Sequence, residues 1–238
     1  PDGMAPHEVM ELAKNKTSGL VESYGHQFGT IWKRMEREGL AEALDDYMTL
    51  RQAEKRIRDL SSRPGSNVTP AGHRVGPAGQ PLPGMDRYVN PRKLDTAQIQ
   101  ADLAELQGLL TPDQYRRVEQ AATDWWAVNR RVFDLMHEAG LVSDETRRDI
   151  LGRGEDYVPF QVLDYLAGET VRGQQQPYSV RWQDYLRKME GTERDVRSVL
   201  ASSIDKMAGA VALAQRNLAA RAVADLHAFL PTVIRPVP

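Results

Sequence analysis

Apolar residues recur three or four positions apart along much of the chain, the spacing of one face of an α-helix. The pattern is weak from Pro6 to about Tyr24. It then sharpens into a stripe of Leu40, Leu44, Tyr47, Leu50, Ala53, Ile57 and Leu60, with Arg51, Glu54, Lys55, Arg56, Arg58 and Asp59 on the other faces. Mixed charges of that kind mark a solvated side. Ile99, Leu103, Leu106 and Leu110 form the next stripe, behind Asp95 as N-cap, and Thr111-Pro112 restarts the chain as N-cap and first helical residue, implying a helical hairpin. The following helix has the clearest pattern: Tyr115, Val118, Ala122, Trp125, Asn129, Val132 and Met136 run close to a heptad seam, which Trp126 and Phe133 widen. Gly140 is its natural stop, with Leu141 placed for the apolar contact that often follows such a cap.

Ser143 caps a short helix whose first turn holds Asp144 and Glu145, and Gly152 and Gly154 end it. Beyond it, Tyr157 to Leu163 reads as a tucked extended segment, Gly173 to Pro177 as an exposed loop, and Trp182 to Met189 as a short helix. Thr192 opens a last helix through Val196, Leu200, Ile204, Met207, Val211, Ala214, Leu218, Ala222, Leu226 and Phe229, until Pro231 forbids continuation. At ~1.5 Å per residue that helix exceeds ~50 Å. Its middle is rich in alanine, which permits close helix contacts on more than one side. It is expected to lie antiparallel to the Tyr115–Met136 helix, leaving an alanine face for another copy or domain.

Between Ser61 and Pro91 the periodicity collapses, because Pro and Gly recur too often for helix or central strand to persist. A stretch of this length is either a linker, the preferred reading, or a functional loop pinned on a partner. The organisation expected is therefore an N-terminal helical segment over 1–60, a Pro/Gly-rich linker or loop over 61–94, and a helical bundle with a long C-terminal helix over 95–238. The fold class is all-α, an elongated bundle of long helices with little or no β structure.

Composition fits that picture. Of 238 residues, 41% are hydrophobic, 27% charged and 7% aromatic, which suits long solvated helices better than a β-rich globule. The 31 Lys and Arg nearly cancel the 33 Asp and Glu, so no field of one sign favours nucleic acid or an anionic membrane over the whole chain. The absence of cysteine removes thiol catalysis, disulfides and thiolate zinc sites and fits a reducing compartment. No window approaches the ~20 apolar residues of a membrane span. The opening Pro1-Asp2-Gly3-Met4 has no signal-peptide character, and both ends are expected to be internal to a longer polypeptide.

His137-Glu138 lacks the second histidine a helical zinc motif requires, since position 141 is Leu; in the last turn of a helix, His137 instead suits the negative dipole end. His7, His26, His73 and His227 have no metal spacing, and no nucleophile elbow or Walker loop occurs. The glycine-rich residues 72–84 have neither a preceding strand nor a following Gly-Lys-Ser/Thr, so they read as a loop and not a phosphate cradle. Asp45/Asp46 and Glu155/Asp156 are adjacent carboxylates more suited to solvated surface than to an acid–base pair. Trp125/Trp126 beside Arg130/Arg131 would suit single-strand stacking, but Trp125 lies on the seam and belongs to the core. The best enzymatic arrangement would face Arg216 and Asn217 towards Asp156 and Tyr157. No catalytic, cofactor-binding or metal-ligating residue is assigned, and no cofactor is expected.

From about Tyr47 to Phe229, roughly three quarters of the chain, the sequence resembles a helical region of very large polyvalent proteins of tailed bacteriophages and related mobile elements. The pieces that carry the resemblance are YMTLRQAEKRIRDL (47–60), FDLMHEAGLVSDETRRDIL (133–151), DYVPFQV (156–162) and AQRNLAARAVADL (214–226). The chain departs from the family pattern at Gln161-Val162, where an Arg often follows Pro-Phe, and at Gln215-Arg216-Asn217, where Glu-Arg-Asn is usual. The resemblance implies a noncatalytic structural or assembly segment of a virion-associated, ejected protein, partnered by other domains or copies of the same large chain and by other virion proteins. It places the chain in the virion interior, or in the bacterial host cytoplasm after delivery. The alternative is a protein- or DNA-interaction module of a delivered polyvalent protein that positions an adjoining enzyme domain.

Overall fold

A computed structural model describes residues 6–152 and 199–229, apart from residues 63, 78, 81, 91 and 92. The described residues are all-α, with six helices, one 3-10 turn and no strand. The helices are α1 (Pro6–Arg37), α2 (Ala41–Ser61), α3 (Thr96–Leu109), α4 (Pro112–Glu138), α5 (Asp144–Leu151) and α6 (Val199–Phe229). The expected extended segment after Glu155, the helix at Trp182–Met189 and the helix start at Thr192 lie outside the described residues. So does Gly154. The chain divides into two compact units, one of residues 1–31 with 123–238 and one of residues 32–122.

In the 32–122 unit, Met35, Leu40, Leu44, Tyr47, Met48, Leu50, Ala53, Ile57, Ile99, Leu103 and Val118 are buried. The α2 stripe anticipated from spacing thus faces inward, Leu60 at its end being only half-buried. Gly39, at φ +69°, closes α1 through Leu40 N–H donating to the Met35 carbonyl and Gly39 N–H to the Glu36 carbonyl. That is a Schellman cap, with buried Leu40 as its apolar residue. Asp95 caps α3 in a capping box with Gln98. Thr111 and Gln114 make the same reciprocal pair at the start of α4, with Gln114 N–H donating to Thr111 Oγ1 (3.2 Å) and Thr111 N–H to Gln114 Oε1 (2.9 Å). A half-buried network ties the helices laterally. Arg51 donates to the Tyr47 hydroxyl (3.2 Å) and to Glu54 (3.0 Å), Gln100 donates to Glu54 (2.6 Å), and Tyr115 meets Tyr47 edge to face at 5.9 Å. Burial pushes the Tyr47 hydroxyl above its ordinary pKa, with the Arg51 hydrogen bond pulling the other way.

The segment read as a linker or loop is a loop folded on this unit. Thr69 to Gly72 make a turn closed by Gly72 N–H on the Thr69 carbonyl, with Pro70 presetting the backbone; Thr69–His73 and Val75–Asn67 hydrogen bonds flank it. Isolated antiparallel bridges join Val68 to Arg74 and His73 to Tyr88. Thr96 anchors the turn to α3, its N–H on the Ala71 carbonyl and its hydroxyl on that of Pro70. Gly72 has φ +87° and lies so close to Ile57 that a Cβ would stand 2.5 Å from Ile57 Cδ1.

In the other unit the α4 seam behaves as its spacing predicts: Trp125, Asn129, Val132, Phe133 and Met136 are essentially inaccessible. Phe28 of α1 lies against Trp125, ring centroids 4.4 Å apart. Tyr24, one turn earlier on α1, senses Arg131, Glu138 and Asp134 further along α4, so α1 is an antiparallel neighbour of α4 there. Gly140, at φ +75°, ends α4 with the expected cap, Leu141 N–H reaching the Met136 carbonyl and Gly140 N–H that of His137. The Ser143 hydroxyl accepts from Thr146 N–H (3.1 Å) and caps α5.

The last helix meets the C-terminal end of α4. Asn217 Nδ2 donates to the Ala139 carbonyl at the C-terminal end of α4. Ile204, Met207, Val211 and Ala214 are buried before that meeting point and Ala219 after it, while Ala220, Arg221, Ala224 and Asp225 form an exposed face. The described length of α6, 31 residues, corresponds to about 46 Å at ~1.5 Å per residue.

Candidate docking groove

Asp46, Thr49 and Leu50 recur at three- and four-residue intervals and share one face of α2; Asp102, Glu105, Leu106 and Leu109 do the same on α3. The two helices pack on each other, and between these faces lies an open groove of about 380 Å³. Leu94 completes it. That residue is held by buried Asn90, whose Nδ2 donates to the Leu94 carbonyl (2.7 Å) and whose Oδ1 accepts from Leu94 N–H (3.2 Å). Lys93 beside it takes a left-handed φ of 58°, a strained conformation for a side chain with a Cβ.

The groove exists because the apolar stripe of α3 is longer than the core that covers it. Ile99 and Leu103 are buried, Leu106 is half-buried, and Leu109 is 75% exposed. Three carboxylates stand over this floor. Asp102 and Glu105 lie one turn apart and show no ion pair among the described residues. Thr49 is 8% exposed, and its hydroxyl has no hydrogen-bond partner among the described residues. An exposed Leu109, the adjacent Asp102 and Glu105 carboxylates and the buried Thr49 hydroxyl are each mildly unfavourable in isolation.

The sequence-derived candidates fall elsewhere, with one exception. Asp46, half of the Asp45/Asp46 pair, is drawn into the groove. His137 Nε2 pairs with Asp144 Oδ1 across the α4–α5 turn (2.7 Å). Arg147 holds Asp134 through two nitrogens, at 3.1 and 2.9 Å. Trp125 is in the core. Residues 72–84 spend the N–H groups of Gly72, Arg74, Val75, Gly76, Gly79 and Leu82 on backbone carbonyls, leaving none of these for a phosphate. Asn217 binds the end of α4; Glu155, Asp156 and Tyr157 lie outside the described residues.

A second cluster, absent from the sequence reading, gathers His73, Tyr88 and Asp95. His73 Nε2 stands 4.0 Å from Asp95 Oδ2, beyond hydrogen-bond range, and its ring meets Tyr88 edge to face at 5.4 Å. With Asp95 already engaged as the α3 cap, this cluster fixes the loop. Among the described residues no group of His, Asp and Glu is arranged to hold a metal ion, and no helix is long and apolar enough to cross a membrane. No family model matches the sequence, and no curated protein or solved structure matches it at a significant level.

Proposed function

We propose that this chain is a noncatalytic structural or assembly segment of a large, virion-associated bacteriophage protein, of the kind ejected with DNA. Support for the phage setting comes from the resemblance of residues 47–60, 133–151, 156–162 and 214–226. Support for the assembly role comes from the open groove between α2 and α3, whose apolar floor ends in a 75% exposed Leu109. Apolar surface flanked by charge is the usual mark of a protein-binding site.

The second reading, an interaction module that positions an adjoining enzyme domain after delivery, draws on the same groove. Within it the carboxylates of Asp46, Asp102 and Glu105 favour a protein ligand over DNA, because a phosphate backbone would be repelled. Mass spectrometry of purified particles of the encoding phage tests the virion setting that both readings share. The virion assignment expects peptides of this chain at constant stoichiometry across preparations. Peptides found in infected cells and never in particles would reject it, and the delivered module with it, because a delivered chain must first be packaged.

A further inference from the structure

We infer that the groove between α2 and α3 docks a basic amphipathic helix of a separate polypeptide, one carrying Lys or Arg beside leucine-type side chains; this deepens the assembly reading and rests on it. The length and direction of the floor point to a helix. Asp102, Glu105, Leu106 and Leu109 occupy one face over two turns of α3, about 10 Å at ~1.5 Å per residue, and a channel between two packed helices accepts the apolar stripe of a third.

The sign of the partner follows from the charges. Asp102 and Glu105 repel each other at i,i+3 and have no ion pair among the described residues; Asp46 adds a third carboxylate from the facing helix. A cationic side chain laid over Leu106 and Leu109 would keep its stem on the apolar floor and its charge against these groups. A metal ion is the poorer fit, since the three carboxylates do not converge as a cation site requires. Thr49, 8% exposed on the α2 wall, has no hydrogen-bond partner for its hydroxyl among the described residues.

The test titrates the full chain against a fluorescent model helix of alternating Leu and Lys stripes, with the Leu/Glu counterpart as control, and reads anisotropy at low and moderate salt. The Leu/Lys helix should bind saturably and more weakly as salt rises, and the Leu/Glu helix should not bind. Asp102→Lys with Glu105→Lys should weaken binding about tenfold or more. Leu109→Ser, at an exposed position, should weaken it while the circular dichroism spectrum and Tm stay unchanged, and it decides the matter should the double variant not fold. Failure of the Leu/Lys helix to bind overturns the inference, as does equal binding by the native chain and the folded variants. A concentration-dependent dimer by ultracentrifugation that Leu109→Ser abolishes would make a second copy the occupant and overturn it too. The virion assignment stands apart: absence from particles with intact peptide binding rejects that assignment alone, and presence in particles without peptide binding rejects this inference alone.

Discussion

Gly39 and Gly72 both have positive φ, yet their surroundings differ. At Gly39 a Cβ would meet nothing within 4 Å, so Gly39→Ala should cost only the backbone penalty, about 1–2 kcal/mol. At Gly72 the same change adds a clash with buried Ile57, and about 2–4 kcal/mol is expected; equal losses in urea denaturation would mean that the loop does not press on α2. Tyr47 sets a pH limit. Its folded pKa is raised above the unfolded value of about 10, so the folded state retains its proton longer. Its contribution to stability is therefore whole below pH ~10 and is lost as pH climbs through the folded value. Tyr47→Phe should flatten the alkaline decline of Tm, and an unchanged slope would mean that the hydroxyl is solvated. Neither effect was legible beforehand, because each depends on a neighbour distant in sequence.

Helix caps are the most readable features. Asp95, Thr111-Pro112, Gly140-Leu141 and Ser143 all act as their local chemistry predicts, since a cap needs partners only within a few residues. The length of α1 was obscured by Gly25 and Gly29, which lower helix propensity between Tyr24, Phe28, Ile31 and Met35 although the last three are buried at helical spacing. Periodicity sets Leu106 on one face with Ile99 and Leu103 but cannot say where the cover over that face ends, so the groove is legible only in the tertiary structure. The direction of α6 depends on tertiary contacts that spacing cannot encode. Its alanine face, however, can be tested directly. Ala214 is fully buried, and Ala214→Arg should destabilise the unit by about 3 kcal/mol or more. Retention of the native Tm would show that α6 is not packed at Ala214.

At the scale of the whole molecule, the proposed assembly role rests on near-neutral charge, all-α described residues and an acid-lined apolar groove. The most direct measurement places a photoreactive amino acid at Leu109 within the encoding phage and irradiates purified particles. The account predicts a covalent adduct to another polypeptide, through a Lys- or Arg-bearing helical peptide identified by mass spectrometry, and loss of that adduct when Asp102 and Glu105 are changed to Lys. Particles that contain the chain but yield no adduct from position 109, or the same adduct in the charge-reversed variant, would contradict it.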